Sequence, residues 1–523
     1  MKSEKLWIAD RCDGTYVNPV LYADYSDPDV IRVGDDYFMI SSSFCNVPAI
    51  PVLHSKDLVN WKVVNYVLDK LPFADYDVPA HGRGVWAPAI RYHDGMYYVF
   101  FPMPDEGIFV SMTEDPFGKW SEPICVKKAV GWIDPCPFWD DDGQVYMVSG
   151  FAKSRMGFNN VLRLSRLDAD TLEVIDGGRD IYDGNLTGQR TTEGPKLYKR
   201  NGYYYIFAPT GGVAEGVQLV LRSRSIWGPY EEKIVLAQGN TPVNGPHQGA
   251  WVDTKSGEDW FLHFQDAGNV GRVVHLQPMR WEDDWPVMGI NQNREGCGEP
   301  VLSYRKPDVG CDCMSCAPVD SDEFDGDTLG LQWQWNANYK KEWYKLDFAN
   351  SRIELNSMYI TGNLNDAGNL LLQKWPAPRF NITTRLDLSR LTDNRDIAGM
   401  ISLGGIYTGF GVICLEDKKR IVQITGEWQK NNECVHMYEE IDCDEIILKM
   451  IVKDDAVSFA YCCVFDNNDK NAYDTDVKWI ATGEKIKATP GRWVGVKVGL
   501  FCVNREQKTD GVVAAEYFRF HKI

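Results

Sequence analysis

An aromatic-rich strand that follows an acidic or glycine turn recurs five times in the first three hundred residues, at intervals of roughly fifty to sixty residues. A repeat of this period indicates one supersecondary unit that is used five times. The Asp-Gly and Asn-Gly pairs within it predict tight hairpins, because both central residues of such a turn adopt positive φ. The five turns begin at Gly34, Asp94, Asp142, Asn201 and Ser256.

Further strands follow each hairpin, so that each repeat has the length of a four-stranded propeller blade. Five blades around a central channel account for about residues 15–300, and this arrangement protects the strand edges that an open sheet exposes. Helical periodicity is scarce along the same stretch. We therefore predict an all-β fold that begins with a five-bladed β-propeller over residues 1–302.

The blade pattern stops near residue 301, and the following stretch, rich in proline, charge and cysteine, is predicted to be a linker over residues 303–319. Short alternating segments then begin, such as Phe380–Asp387 and Trp493–Phe501, which we interpret as strands. Strands at this spacing predict a β-sandwich of the jelly-roll or concanavalin-like type over residues 320–523. A chain of 523 residues exceeds the size of one hydrophobic core, which also favours two domains.

The charge balance bears on the partners that the chain can have. The formal net charge is −19, and no dense Lys/Arg stripe offsets it. Phosphate backbones and anionic lipids are repelled by such a surface. No apolar run is long enough to span a bilayer. We therefore expect neither nucleic acid nor a membrane to be a partner.

The N-terminal residues and the cysteines together suggest a compartment. Met1–Ile8 contains no apolar run long enough for the core of a signal peptide. Several of the 14 cysteines lie inside apolar runs such as Val412–Cys414, which is typical of buried thiols rather than disulfides. Both features favour the cytoplasm.

The repeat aligns five residues that precede the hairpins. Counting back eight positions from Asp35, Asp94, Asp142 and Asn201 in the first four turns reaches Asp27, Trp86, Asp134 and Glu193, and the fifth copy, offset by one or two residues, places His247 at the corresponding point. If the strand that enters each hairpin is the innermost of its blade, all five side chains converge at one end of the central channel. Convergence of this kind predicts a functional site.

Three of the five equivalent residues are acidic: Asp27, Asp134 and Glu193. A single carboxylate beside proline commonly caps a turn, but three at one phase of a repeat indicate a shared site. Carboxylates clustered in a partly dehydrated channel drive each other's pKa values apart, so that separate acid and base roles emerge. Glycoside hydrolysis requires this division between a protonated acid and an ionised base or nucleophile.

The propeller half resembles glycoside hydrolase family 43, the inverting β-xylosidases and α-L-arabinofuranosidases. The second half looks like the C-terminal sandwich found with many xylosidases of that family, with looser motifs. The propeller resemblance covers the whole N-terminal portion and rests on Ser26–Tyr37, His54–Trp61, Gly84–Ile90, Ile133–Pro135 with Trp139–Gly143, Thr192–Tyr198 and Gly271–Pro278.

The resemblance implies a role for each carboxylate. Asp27 is expected to act as general base on a water molecule and Glu193 as general acid, while Asp134 raises the pKa of the acid and orients it. Inversion also predicts a separation of about 6.5–9.5 Å between base and acid. The physical argument from clustered carboxylates is consistent with these roles.

Four further residues are implied as contacts. Arg272 aligns with the substrate arginine of the family and is expected to hydrogen-bond a sugar hydroxyl, with a structural ion pair as the alternative. Trp86 and Phe44 resemble residues that wall the non-reducing-end subsite, although Phe44 also suits a core. His247 is a candidate substrate contact, a core histidine, or a ligand of the calcium seen on the channel axis in some relatives, and Ca²⁺ prefers six to eight oxygens. No other cofactor is expected.

These observations predict an exo-acting glycosidase that releases terminal xylose, α-L-arabinofuranose or both from pentose-containing oligosaccharides of xylan or arabinoxylan. Two alternatives remain: an endo-arabinanase, which would hold the same carboxylates in an open groove, and a glycan-binding propeller without activity. Five-bladed fructosidases carry Asn-Asp-Pro-Asn-Gly and Arg-Asp-Pro signatures that are missing here. The sandwich is expected to pack against the propeller and contribute a loop to the pocket, with a sugar-binding module as the alternative. Assembly into a homo-oligomer stays open.

Overall fold

The structure is a computed structural model that describes residues 5–310, 313–392, 395–416, 418–465, 478–507 and 510–523. Its elements are almost entirely strands, which form five four-stranded sheets followed by two eight-stranded sheets. The predicted all-β fold, a five-bladed propeller followed by a sandwich, is confirmed.

A short strand, β1 (Thr15–Val17), precedes the five blades. Each blade is an antiparallel meander whose strands pair in sequence order. The blade strands are β2 Asp29–Val33, β3 Asp36–Ile40, β4 Ala49–Ser55, β5 Lys62–Leu68; β6 Ala89–His93, β7 Met96–Met103, β8 Gly107–Thr113, β9 Ile124–Lys128; β10 Trp132–Trp139, β11 Val145–Phe151, β12 Val161–Leu167, β13 Arg179–Asp183; β14 Lys196–Arg200, β15 Tyr203–Thr210, β16 Val217–Ser223, β17 Glu231–Leu236; and β18 His247–Asp253, β19 Asp259–Asp266, β20 Arg272–Glu282, β21 Trp285–Met288.

The predicted hairpins join the first and second strands of the blades. Asp94 and Gly95 have φ of +46° and +84°, and Asn201 and Gly202 have +51° and +72°, as a type I′ turn requires. In the third blade only the glycine, Gly143, is left-handed, so the turn there is of a different type. The first strands of successive blades contact one another around the channel, which makes them the innermost strands.

The segments before the first blade and after the fifth blade pair with each other and so close the propeller. β1 pairs antiparallel with β22 (Ser303–Arg305). Nearby, the Asn18 side chain donates to the carbonyls of Leu276 and Val301, at 2.8 Å each, and accepts from the Leu276 amide at 2.9 Å. β22 lies in the stretch predicted as a linker, so part of that stretch closes the propeller. The domain limits at residues 302 and 319 stay a prediction.

The sandwich consists of two antiparallel-rich sheets of eight strands each. Its alternating residues bury one side of each sheet in a common core. The first sheet contains β23 Gln334–Trp335, β26 Met358–Tyr359, β27 Leu371–Lys374, β29 Ile397–Leu403, β30 Ile406–Leu415, β31 Lys418–Glu427, β32 Cys434–Ile441 and β36 Lys497–Asn504; the second contains β24 Tyr344–Asp347, β25 Arg352–Asn356, β28 Arg379–Asp387, β33 Glu445–Lys453, β34 Ala456–Val464, β35 Ile480–Lys487, β37 Val512–Ala515 and β38 Arg519–His521.

One strand prediction in the sandwich is wrong at its N-terminal end. β36 begins at Lys497, whereas the sequence suggested a strand from Trp493. The residues from 491 to 496 form a loop instead, and Trp493 has φ of +64°. A left-handed residue of this kind interrupts the extended backbone that a strand requires.

Helices are few and short. The α-helices are α1 Lys153–Met156 and α2 Gly184–Thr187, and the 3₁₀ helices are Ala74–Tyr76, Gly268–Val270, Lys341–Trp343, Phe348–Asn350 and Leu364–Asp366. In the portion of the chain that the structure describes, no helix has the length and apolar character needed to cross a bilayer.

The two domains share one hydrophobic core. Phe38 and Val47 of the first blade lie in the same buried cluster as Trp333 and Trp335 of the sandwich. The backbones of Val47 and Trp335 also exchange two hydrogen bonds, of 3.1 and 2.6 Å. Burial of aromatic side chains on this scale stabilises a fixed contact between domains. The packing role predicted for the sandwich is therefore confirmed.

Candidate active site

A pocket of about 520 Å³ opens at one end of the propeller channel. The innermost strands begin at this end, and the residues at or just before their starts face the same space. The structure brings together all seven residues predicted from the sequence: Asp27, Phe44, Trp86, Asp134, Glu193, His247 and Arg272.

Asp27 lies two residues before β2, with its side chain buried. Its Oδ2 atom accepts hydrogen bonds from the hydroxyls of Ser26 at 2.9 Å and Ser42 at 2.5 Å. Its Oδ1 atom accepts from Arg272 Nη1 at 3.2 Å, and that guanidinium also donates to the Ser26 hydroxyl at 2.8 Å. The carboxylate is therefore held in one orientation by three donors, two of them on neighbouring segments.

Asp134 lies on a β-bulge of β10, where the register shifts between Ile133 and Cys136. Its φ of +55° matches the +58° of Asp27, so the two repeat-equivalent residues share the same unusual backbone conformation. A bulge re-aims a side chain that a regular strand would direct elsewhere. The conformation is sparsely populated by residues other than glycine and is typical of functional sites.

The carboxylate of Asp134 is tied to the next blade. Its Oδ2 atom accepts a hydrogen bond of 2.8 Å from the Gly194 amide, and it also bonds the Gln248 side chain. Gly194 has φ of +58°, and a Cβ there would lie 2.5 Å from Gln248 Cγ. Glycine is therefore required after Glu193 to present this amide.

Glu193 is open to the pocket, with 26% of its side chain exposed. Its Oε1 atom lies 3.5 Å from His247 Nε2, a contact longer than a hydrogen bond. Among the residues that the structure describes, no closer polar partner of the Glu193 carboxyl is found. This carboxyl is thus free to donate to a bound molecule.

Glu193 and Asp134 differ in their protonation. Burial, followed by the charges of Asp134 and Asp27, raises the pKa of Glu193 to about 8, against the opposing charge of Arg272. Burial and the charge of Asp27 raise the pKa of Asp134 to about 6, with the Gly194 hydrogen bond opposing. At neutral pH Glu193 is therefore mostly protonated and Asp134 mostly ionised. The sequence argument named the charge of Asp134 as the cause, whereas burial is the larger one.

His247 is buried beside these groups, 1% exposed. Burial and the nearby Arg272 lower its pKa to about 3, so the ring is neutral. One neutral nitrogen does not provide the oxygen ligands that Ca²⁺ prefers. No group of three His, Cys, Asp or Glu side chains among the described residues has a metal-binding arrangement. These residues do not by themselves fit a calcium ion, and a metal at His247 stays a prediction.

Three aromatic rings form one wall of the pocket. Phe44 is held beside Trp86 because its backbone exchanges two hydrogen bonds with Val85, and the two ring centroids are 6.4 Å apart. The third ring, Trp493, comes from the sandwich loop, 4.7 Å from Trp86 in an edge-on arrangement and 6.5 Å from Phe44. Arg155 packs over the opposite side of Trp86, 4.9 Å from the ring centroid. The loop contribution predicted for the sandwich is confirmed.

Sequence reasoning missed several residues of the site. The sequence pattern places Trp493 in a strand of the sandwich, and this pattern does not indicate that its side chain contacts the propeller. Ser42 and Gln248 lie in ordinary polar stretches of the sequence. Only the folded structure shows that they are close to the carboxylates. A signal was available for Gln248, because it directly follows the repeat-equivalent His247.

The model of glycosyl hydrolases family 43 matches residues 16–286. The chain belongs to this family. The model of the β-xylosidase C-terminal concanavalin A-like domain matches residues 321–521, so the sandwich is also of a type found with family 43 enzymes. The protein is accordingly a glycosidase with the family fold and its accessory domain.

Three curated relatives show how similar the chain is to other family 43 proteins. It is 41% identical over 404 residues to a Xylanibacter ruminicola protein that bears a provisional β-xylosidase name, with 77% of this chain and 73% of that protein covered. It is 29% identical to a β-xylosidase of Formosa agariphila, covering 98% and 91% of the two chains. It is 26% identical to a non-reducing end α-L-arabinofuranosidase of Bacteroides ovatus, covering 98% and 97%.

Proposed function

We propose that the protein is an exo-acting, inverting glycosidase that hydrolyses the terminal β-linked xylose residue of xylan-derived oligosaccharides. The observation that carries the proposal is the convergence of Asp27, Asp134 and Glu193 in one pocket, where the pKa of Glu193 is raised above that of Asp134. The relative named β-xylosidase, which aligns along almost the whole chain, supports this substrate.

Glu193 is the proposed general acid. A carboxyl that keeps its proton near neutral pH can give it to the leaving glycosidic oxygen. The raised pKa of Glu193, caused by burial and by the charge of Asp134, supplies that proton. Asp134 is the proposed positioning residue, since its bond with the Gly194 amide fixes the segment that carries Glu193.

Asp27 is the proposed general base. Its three hydrogen-bond donors fix the orientation of the carboxylate, which leaves the remaining lone pairs to accept a proton from water. Water oxygen forms a bond to the anomeric carbon while the glycosidic C–O bond breaks. The water proton passes to Asp27 and the Glu193 proton passes to the leaving oxygen. A single displacement of this kind inverts the anomeric configuration.

The wall of Phe44, Trp86 and Trp493 supports action at a chain end. Aromatic faces suit the apolar C–H surface of a sugar ring, and a wall closed on one side by a second domain favours a terminal residue over an internal one. Arg272 is the proposed contact for a sugar hydroxyl as well as the partner of Asp27. An endo-arabinanase needs an open groove, so we favour it less.

Release of α-L-arabinofuranose is the second candidate. The two pentoses present similar shapes, and the relative named non-reducing end α-L-arabinofuranosidase aligns along almost the whole chain. Location in the cytoplasm and assembly into a homo-oligomer stay predictions.

Parallel assays on p-nitrophenyl β-xyloside and p-nitrophenyl α-L-arabinofuranoside test the proposal. We expect turnover of the xyloside, with turnover of the arabinofuranoside deciding on the second activity. With xylotetraose, xylose and xylotriose should be the first products, and proton NMR at early times should show α-xylose. Internal cleavage, or first release of β-xylose, would contradict exo action or inversion.

A further inference from the structure

A second, smaller cavity of about 40 Å³ lies between the domains, behind the aromatic wall of the active site. Phe44 lines both cavities. The propeller contributes Cys45 and His81 to it, and the sandwich contributes Arg492 and Lys497 from the loop and strand next to Trp493. The cavity therefore borders the segment that presents the third aromatic ring.

Two cations line this cavity without a counterion. Lys497 is only 7% exposed, whereas Arg492 is exposed. Within the described part of the chain, neither side chain has an ion pair or a side-chain hydrogen bond. The Arg492 guanidinium packs over the Trp493 ring at 4.4 Å. No Asp or Glu is among the lining residues. In a chain with a net charge of −19, a cavity lined by two cations and no carboxylate calls for an explanation.

The nearest carboxylate is already engaged. Asp24 accepts hydrogen bonds of 2.9 Å from the amides of Arg272 and Gly495. Its charge also acts on two lysines, the half-buried Lys374 and the buried Lys497, and neither lysine forms an ion pair with Asp24 in the described chain. Burial lowers the pKa of Lys497, which is the expected response of an ammonium that lacks a close partner.

An uncompensated buried ammonium is strongly unfavourable unless it loses its proton or gains an anion. His81 does not offset the charge, because an imidazole carries no negative charge and burial lowers its pKa, which favours the neutral ring. The volume of the cavity limits what can enter. About 40 Å³ accommodates a few water molecules or one monoatomic ion with water, and excludes a sugar.

We propose that this cavity binds a small inorganic anion of the size of chloride at the buried Lys497 ammonium, with the exposed Arg492 guanidinium of the cavity lining as a second partner. Guanidinium and ammonium groups are the usual partners of anions in proteins. The bound anion would neutralise the junction between the domains and tie the loop of Trp493 to β36. The inference concerns binding and stability, so it stands independently of the proposed hydrolysis.

Thermal unfolding of the full chain tests the proposal. At constant ionic strength, sodium chloride should raise Tm over sodium gluconate, whose anion is too large for the cavity. We expect a saturable rise of about 2 °C or more. A Tm that is the same in both salts, or that changes without saturation, would overturn the proposal.

A pair of variants assigns the effect to the cavity. Lys497→Met removes the buried charge and should abolish the difference between chloride and gluconate, while Arg492→Gln, at a less buried position, should weaken it. Lys485→Met, at an exposed position, is the matched control and should keep the wild-type difference. If the control and both cavity variants respond alike, the anion effect lies elsewhere and the site is rejected.

Crystals grown in sodium bromide give a direct measurement. We expect an anomalous bromide peak between the side chains of Lys497 and Arg492. Density for ordered water alone in this cavity at high bromide concentration would reject the site, even if the protein were fully active.

Discussion

Asp24 of the propeller and Gly495 of the sandwich loop are joined by a hydrogen bond of 2.9 Å from the Gly495 amide to Asp24 Oδ2. The other oxygen of the same carboxylate accepts from the Arg272 amide, also at 2.9 Å. Arg272 in turn donates to Asp27. One buried carboxylate thus connects the loop that carries Trp493 with the arginine that orients the proposed base.

The backbones in this region approach closely. A Cβ on Gly495 would lie 2.7 Å from the Val270 carbonyl and 2.8 Å from Gly271 Cα, so only glycine allows the loop to reach Asp24. The Val496 amide adds a second bond between the domains, 2.8 Å to the Asn269 carbonyl. The position of Trp493 relative to the pocket is therefore set by backbone contacts as well as by ring packing.

Replacing Asp24 with Asn should disturb the site without touching the substrate. The amide offers one acceptor oxygen where the carboxylate offers two, so one of the two backbone amides loses its partner. We expect kcat/KM to fall about 10-fold through misplacement of Arg272 and Trp493, with a smaller effect on Tm. Steady-state kinetics and thermal unfolding measure the two effects. Unchanged kinetics together with a lowered Tm would assign Asp24 a purely structural role, and Asp35→Asn on an exposed turn is the control.

Replacing Trp493 with Ala should weaken substrate binding. The ring forms the part of the aromatic wall that the sandwich supplies, 4.7 Å from Trp86, and an aromatic contact contributes about 0.5–1.5 kcal/mol beyond its buried area. We expect KM for xylobiose to rise about 10-fold, and Trp493→Phe to recover most of the loss. Trp479→Ala in the same domain is the control. A normal KM in Trp493→Ala would remove the ring from the binding site.

The alkaline limb of the pH profile of kcat/KM should be set by the pKa of Glu193, the proposed acid. Because hydrolysis needs protonated Glu193, kcat/KM should fall as pH rises through about 8, the value to which burial and Asp134 raise the pKa of Glu193. In Asp134→Asn one cause of that raised pKa is removed, so the alkaline limb should move to lower pH. Asp142→Asn, on a hairpin turn, should leave the limb in place. An alkaline limb that does not move in Asp134→Asn would show that the charge of Asp134 does not raise the pKa of Glu193.

The sequence predicts this site as far as the repeat extends. Asp27, Trp86, Asp134, Glu193 and His247 follow from counting positions, because blades of equal construction place equivalent residues at the same end of the channel. This prediction did not require knowledge of the positive φ angles of Asp27 and Asp134. The propeller geometry was therefore readable from local turn chemistry.

Trp493 shows where such counting stops. Its apolar neighbours continue the alternation of β36, and alternation alone does not reveal that the strand begins only at Lys497. The loop conformation is set by contacts with the propeller, through Asp24 and the Val270–Gly271 backbone, so it depends on residues more than 200 positions away. Arg272 was found only through resemblance to the family for the same reason, since its ion pair with Asp27 spans 245 positions.

Replacing Glu193 with Gln should lower the rate of hydrolysis and raise the stability of the folded chain at alkaline pH. Loss of the proposed acid should lower kcat by about 10²–10⁴-fold on substrates with a poor leaving group. The pKa of Glu193 in the folded chain, about 8, lies above its ordinary value of 4.5. Between these values the unfolded chain releases this proton while the folded chain retains it, so wild-type stability falls as pH rises from about 4.5 to 8.

Glutamine does not titrate, so the variant lacks this loss. The Tm of Glu193→Gln relative to wild type should therefore be lowest near pH 5 and should increase by about 2–4 °C towards pH 8. Thermal unfolding at intervals of one pH unit measures the trend, and Glu342→Gln, at an exposed position, is the control. A Tm difference that stays constant with pH would mean that Glu193 titrates near its ordinary value, and the proposed acid would then lack a proton at neutral pH.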